Sequence, residues 1–366
     1  MDIQPTVHIN KWLLPFSWLY GVIVCLRNRF FKWGIFKRQE FDIPVICIGN
    51  IAVGGTGKTP HTEYIIRLLK DKYRVAVLSR GYGRKTSGFI LGDNDSTARI
   101  LGDEPYQIKR KFNDIIVAVD EKRVRGIKRL LAMDNPPQVI LLDDAFQHRY
   151  VKPSYSILLT DFSRPLHLDK LLPAGRLREP ASYASKANTI IVTKCPNLLP
   201  IDYRIISHDI NVFPYQDLFF SSIVYKKLKP VFDEHADSII LEHLRNKNVL
   251  LVTGIASPQT IVDKLKAYTN KIEMMTYPDH HAFKKKDIHN IANKFGEINS
   301  ANKIIIVTEK DASKLVSNAV DDDLKRYFYY LPIEIGFSDE ESEKKFNDNI
   351  LNHVRTYKAN RIIFKK

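Results

Sequence analysis

The stretch Val45–Pro60, VICIGNIAVGGTGKTP, decides the fold. It opens on the apolar, β-branched run Val45–Ile48, turns through Gly54, Gly55 and Gly57, and leads into Thr62–Leu69, where Ile65, Ile66, Leu68 and Leu69 share one helical face. Strand, glycine loop and helix in that order are the context a phosphate-binding loop requires. The glycines let the backbone curl until its N–H groups point at phosphate oxygens, at the positive end of the helix dipole. In the run Ala52, Val53, Gly54, Gly55, Thr56, Gly57, Lys58 and Thr59, Lys58 would reach the β- and γ-phosphates of ATP. Thr59 would offer its hydroxyl to Mg²⁺, and Pro60 suits a first helical turn, where a missing N–H costs little. Ala52 stands where the consensus loop has its first glycine.

From this unit an alternation spreads in both directions. Apolar runs at Val75–Leu78, Ile115–Val119, Val139–Leu142, Ile157–Thr160 and Ile190–Thr193 are separated by helical patterns, which predicts an α/β fold: a P-loop NTPase-like parallel sheet with helices on its faces. A Pro-containing, aromatic passage from Phe213 to Pro230 interrupts the pattern, and Val249–Thr253 and Ile304–Thr308 restart it. The expected division is an N-terminal interfacial helix and basic segment over 1–40, a P-loop core over 41–212, a hinge over 213–245, a smaller α/β domain over 246–335, and a charged tail over 336–366 with a helix at Phe346–Tyr357. The length of 366 residues favours two cores over one.

The net charge of +15 calls for a polyanionic partner, and charge alone does not choose among nucleic acid, anionic lipid and a phosphorylated substrate. No nucleic-acid module appears, so nucleic acid is not an expected partner. Cys25, Cys47 and Cys195 are far apart and form no ligand pair, which fits buried thiols in a reducing compartment. Trp12–Cys25, WLLPFSWLYGVIVC, is uncharged and apolar and is followed by Arg27, Arg29, Lys32, Lys37 and Arg38. It falls short of the roughly 20 residues needed to span a bilayer. It also runs on into bulky Phe30, Phe31 and Trp33 instead of a small-residue cleavage site. A helix lying in the membrane interface fits, with rings at headgroup level and cations toward anionic lipid. A helix packed on the core is the alternative.

Asp143 and Asp144 end the apolar run in QVILLDDAFQHR, where carboxylates could serve the Mg²⁺ shell beside the loop; a solvated turn is the other reading. A proton acceptor for an alcohol must be an acid or histidine outside the loop. Asp103 and Glu104 in GDEP and the cluster Asp279, His280, His281 in YPDHHAF are the candidates. Arginine-bearing loops SRGYGRK, EKRVRG and LPAGRLREP could clamp phosphates.

Together these segments resemble the tetraacyldisaccharide 4′-kinase family of lipid A biosynthesis. The resemblance runs in order from LPFSWLYG through GGTGKTP, SRGYGRK, GDEP, DDAFQHR, LPAGRLREP and PDHHAF to TEKDASK at Thr308–Lys314. It implies ATP-dependent phosphorylation of the 4′-hydroxyl of a tetraacyl glucosamine disaccharide 1-phosphate, at the cytoplasmic face of the inner membrane. It also implies that Asp103 is the catalytic carboxylate, with His280 its partner across an interdomain cleft. Asp143, Asp144, Glu104 and Thr59 would serve the metal, and Tyr82, Arg123, Gln147, His148, Arg178 and Glu179 would line the nucleotide and acceptor cleft. Ala145 and Arg176 depart from the glycine and proline usual in the family, and Arg176 would add a cation near the acceptor.

A membrane-associated P-loop switch or partitioning ATPase is the competing class. Its deviant loop begins with a second lysine, and here Val53 holds that place. A GTPase reading of Thr193–Pro196, TKCP, lacks the aspartate that would read a guanine edge.

Overall fold

The computed structural model describes residues 7–233, 236–255, 257–316 and 319–364. Residues 1–6 of the expected N-terminal segment and 365–366 of the expected tail lie outside the described residues. The strands are β1 (Val45–Gly49), β2 (Val75–Ser79), β3 (Ile90–Leu91), β4 (Ile116–Val119), β5 (Val139–Asp143), β6 (Tyr155–Asp161), β7 (Thr189–Thr193), β8 (Asp217–Tyr225), β9 (Lys229–Pro230), β10 (Asn248–Thr253), β11 (Ile272–Thr276), β12 (Lys303–Thr308), β13 (Phe328–Leu331) and β14 (Ile333–Phe337). They form a nine-stranded sheet in the order β14-β8-β7-β6-β1-β5-β2-β4-β3 and a five-stranded sheet in the order β11-β10-β12-β13-β9. The eight apolar runs named above all fall on strands. Those on the large sheet pair in parallel, as near-continuous apolar runs buried on both faces require.

Strand β1 lies between β5 and β6, where the strand order changes direction, so its C-terminal end opens at the crevice in which α/β sheets bind ligands. The register sets Ile48 beside Asp143, which brings the glycine loop and the paired acids to one edge. Helix α1 (Leu14–Lys32) packs on the large sheet's side of the molecule, and α2 (Lys58–Leu69) follows the loop. Next come α3 (Ala98–Leu101), α4 (Asp103–Lys111), α5 (Arg123–Leu131) and α6 (Pro200–Ile210); α7 (Gln259–Lys266), α8 (Lys285–Glu297), α9 (Glu309–Leu315) and α10 (Asp322–Lys325) belong to the second sheet's stretch of chain.

The passage from Phe213 to Pro230 contains β8 and β9. Strand β8 extends the large sheet, β9 edges the small one, and β14 returns antiparallel to β8. Two neighbouring strand-to-strand crossings therefore join the sheets, tied by Lys226 N–H to the Pro332 carbonyl at 3.0 Å. The tail forms α11 (Glu340–Phe364), longer than the expected helix. Its Phe346, Ile350 and Val354 complete the core under α2, with Ile65, Ile66 and Leu69.

Buried Ser17, Gly21, Val24, Asn28 and Phe31 form one stripe of α1, spaced so as to face the core. Ser17 donates to the Leu171 carbonyl at 2.9 Å, and Tyr20 donates to the Arg178 carbonyl at 3.0 Å. The outward face carries Trp18, Leu19, Val22, Ile23 and Leu26, all exposed. Among the described residues no helix is long and apolar enough to cross a membrane. Cys47 and Cys195 are buried, but Cys25 is exposed, which corrects the expectation of three buried thiols: it sits on the outward face of α1.

Candidate active site

Gly57 caps α2 with φ of 80°, in the left-handed region that only glycine enters without strain, so the chain can turn from loop to helix and leave Lys58 at its first position. The loop is held at several points. Buried Asn50 donates to Thr56 Oγ1 at 2.8 Å, and Thr193 donates to the Thr56 carbonyl at 3.0 Å. Ala52 is buried and bridges to Leu177, while Val53 N–H reaches the Arg176 carbonyl at 2.7 Å. The methyl group at Ala52 thus packs against the 170s loop, which explains how a residue other than glycine is accommodated there. A Cβ added at Gly54 would lie 3.8 Å from Arg176 Nη1, so this cation stands beside the phosphate loop.

At the end of β5, Asp143 is fully buried. Its Oδ1 accepts from Thr62 at 3.2 Å, and its Oδ2 has no partner among the described residues. Burial, then Glu104, then Asp144 push its pKa up. A buried carboxylate with an idle oxygen, crowded by two more acids, suits a divalent cation. Among the described residues no three acidic, histidine or cysteine side chains form a complete cage. Mg²⁺ does not need one, since it keeps several waters and binds through one or two carboxylates plus phosphate. Asp144 Oδ1 lies 3.8 Å from Lys58 Nζ and 3.1 Å from Arg178 Nη2.

A cleft of about 440 Å³ opens beside these groups, lined by Tyr82, Asp103, Glu104, Arg123, Asp144, Gln147, His148, Arg178 and His280, and also by Tyr20 and Arg27 of α1. Asp103 starts α4 after Gly102, whose φ of 93° and whose missing Cβ, 2.7 Å from the Tyr82 carbonyl, bar any other residue. Asp103 Oδ2 is 3.0 Å from His280 Nδ1 and 2.8 Å from Lys314 Nζ. Because a carboxylate only accepts, His280 carries its proton on Nδ1, and its Nε2 accepts from Lys310 Nζ at 3.3 Å. The Tyr82 ring lies 5.5 Å from the imidazole.

The other expected residues divide into two groups. Arg123 is buried and donates to the Asp120 carbonyl at 3.1 Å, with its pKa lowered by burial. His148 is lowered to about 4 by burial and then by Arg123, so it is neutral at pH 7. Gln147 donates to the Asn50 carbonyl, and Arg178 donates to Asn50 Oδ1 and to Asp144. Glu179, expected at the cleft, is instead buried in an ion pair with Arg27 at 2.6 Å: at the end of LPAGRLREP the chain turns its carboxylate beneath α1. Residue-level reading passed over Lys310 and Lys314. Both lie in TEKDASK directly after the apolar run Ile304–Thr308, and that strand-end placement was their only signal.

The family model described as tetraacyldisaccharide-1-P 4′-kinase matches residues 9–355. The chain belongs to this kinase family. It is 50% identical to the tetraacyldisaccharide 4′-kinase of Bacteroides thetaiotaomicron, over 95% of this chain and 94% of that one. It is 52% identical to the kinase of the same name from Parabacteroides distasonis, over 96% of each. Among solved structures it is similar to the "apo" form of LpxK from Aquifex aeolicus in complex with ATP, with a TM-score of 0.71 at 29% identity over 92% of this chain and 98% of that one. The kinase-family match contains every site residue from Tyr20 to Lys314.

Proposed function

We propose that the chain transfers the γ-phosphoryl group of ATP to the 4′-hydroxyl of a tetraacyl glucosamine disaccharide 1-phosphate, giving a 4′-phosphorylated lipid A intermediate and ADP. The observation that carries this reading is the 3.0 Å contact of Asp103 with His280, in one cleft with the acids and arginine that flank the glycine loop. A switch ATPase needs a held water; this cleft offers a carboxylate backed by an imidazole and a lysine, which is equipment for an alcohol.

In this mechanism Lys58 and the N–H groups of Gly54–Thr59 cradle the triphosphate. Thr59, Asp143, Asp144 and Glu104 are the residues that would hold Mg²⁺, which would supply neutralisation of phosphate charge. His280 N–H and Lys314 both engage Oδ2 of Asp103, which leaves Oδ1 to take the proton of the acceptor hydroxyl. Arg178 and Arg123 face the developing charge, and Tyr82, Gln147 and His148 border the space for the sugar. The crossings β8–β9 and β13–β14 serve as the pivot on which the small sheet closes His280 onto Asp103. The apolar outer face of α1 rests in the cytoplasmic leaflet of the inner membrane, where the acceptor resides.

The test is label transfer from ATP to detergent-dispersed disaccharide 1-phosphate lipid by the purified chain. Acceptor-dependent transfer is expected, with Asp103→Ala and His280→Ala each slowed by about 10²-fold or more. ATP hydrolysis indifferent to the acceptor, or an Asp103→Ala enzyme with unchanged turnover, would sink the proposal.

A further inference from the structure

Arg27 of the cleft wall joins, through Asn28, a group of cations to which the mechanism gives no task. Arg149 follows the cleft residues Gln147 and His148 in sequence and donates to Asn28 Oδ1, which also accepts from Arg27 at 3.5 Å. The Arg149 guanidinium lies 5.3 Å from the centre of the Phe31 ring and 5.6 Å from that of Tyr183. Lys186 Nζ sits 3.3 Å from the Tyr183 centroid. Arg38 covers Phe31 at 5.6 Å. The Phe31 and Tyr183 rings thus gather cations from three separate stretches of chain: Arg38 after α1, Arg149 after β5 and Lys186 before β7.

The charge there is out of balance. Lys186 feels Arg149, Arg38 and Arg27 against the single carboxylate of Glu179, which is already paired with Arg27. Desolvation, and after it Arg149, bring Lys186 down to about 7, and burial and then Arg38 lower Arg149. Folding has gathered like charges at a cost that an anion would offset. A second observation is independent of charge. Asn28 is 3% exposed, its Oδ1 is committed to the arginines, and its Nδ2 donor has no acceptor among the described residues, nor does Arg27 Nε.

From this cluster we infer that Arg149, Lys186, Arg38 and the Asn28 amide form a receptor for a phosphate monoester, and that the monoester is the acceptor's own 1-phosphate. The inference rests on the kinase reading above. On a disaccharide, position 1 and the 4′-hydroxyl lie at opposite ends, so a site for the 1-phosphate must stand away from Asp103 along the cleft. Arg27 lines that cleft and joins the cluster through Asn28. Forked guanidinium donors and an ammonium suit a dianionic, three-oxygen group. A phospholipid headgroup offers related chemistry, and the test separates the two sources.

The experiment compares wild type, Arg149→Gln and Lys186→Gln on two acceptors, the tetraacyl disaccharide with and without its 1-phosphate. Both kcat/KM for transfer and equilibrium binding in neutral micelles are measured. Wild type is expected to favour the phosphorylated acceptor, and each variant to reduce that preference by about tenfold or more, through KM and not kcat. Because Arg149 also packs on Phe31, Lys186→Gln serves as the variant that leaves α1 seated. Equal losses on both acceptors would overturn the inference, as would a defect that appears only when anionic phospholipid is added. Absence of transfer by wild type to either acceptor would count against the kinase reading alone, because micelle binding still reports on the phosphate site.

Discussion

His61 lies one turn into α2, buried beneath the glycine loop. Its Nδ1 is 2.7 Å from the Gly57 carbonyl and its Nε2 is 3.0 Å from Ser221 Oγ. A carbonyl can only accept, so Nδ1 carries the proton and Nε2 accepts from the serine. The ring therefore serves only when neutral, and burial lowers its pKa to about 4. The unfolded chain binds a proton at this site below about 6.5 and the folded chain only below about 4. Stability from His61 is thus complete above pH 6.5 and is lost as pH falls from there toward 4. Urea titrations should show wild type losing on the order of 2 kcal/mol more than His61→Leu between pH 7.5 and pH 5. Parallel pH dependences in the two proteins would show that the ring is not held neutral. Sequence gave no hint of this role: Lys58 announces itself by its place in a glycine loop, but the partner of His61 is a serine on β8, reached only after the sheet assembles.

Three helices meet on a single lysine. Lys111, at the end of α4, lies 2.6 Å from Glu63 of α2 and 2.6 Å from Glu309 of α9. Burial and then the charge of Glu309 raise the Glu63 pKa, so the lysine is what permits the two carboxylates to coexist. The contact links the helix after the glycine loop with the helix that presents Lys310 and Lys314 to His280 and Asp103. Replacing Lys111 with Met should destabilise the protein by about 3 kcal/mol above pH 8, where Glu63, raised to about 7, is ionised. The deficit should shrink toward pH 5 as the raised carboxyl takes up its proton. A loss independent of pH would mean that packing alone is at stake. Elements were legible where the signal is local: apolar runs bounded by turns located eight strands, and the glycine loop located α2. Strand β8 and the early start of α11 were not. Aromatics and prolines make 213–230 look like linker, and the acidic turn before Phe346 pairs with Tyr64 of α2 only through Glu343, a contact no window of sequence contains. The pairing of Asp103 with His280 was accessible only through family resemblance, because nothing in the spacing of GDEP and PDHH brings a carboxylate to an imidazole.

Among the described residues the outward face of α1 and the turn before it present a run of exposed apolar side chains. The inward stripe of α1 is engaged by Leu171, Arg178 and Glu179, so the outward rings are free to act without disturbing the fold. Trp12 is 90% exposed, Trp18 73% and Phe16 62%, and exposed Arg29, Lys32 and Lys37 follow them. Rings of this size left in water are costly unless a lipid interface receives them, and on the proposed membrane reading the net charge of +15 would draw the chain toward anionic headgroups. The two contributions separate by salt. Raising ionic strength screens the cations over a Debye length of about 8 Å or less and leaves the apolar contact in place. Phe16→Ser with Trp18→Ser should weaken binding to vesicles containing anionic phospholipid by tenfold or more at every salt concentration, an effect of about 1.4 kcal/mol, with the melting temperature unchanged. Lys32→Gln with Lys37→Gln should weaken it only at low salt. If the ring substitutions lowered the melting temperature and left vesicle binding intact, the outward face of α1 would belong to the fold and not to the membrane.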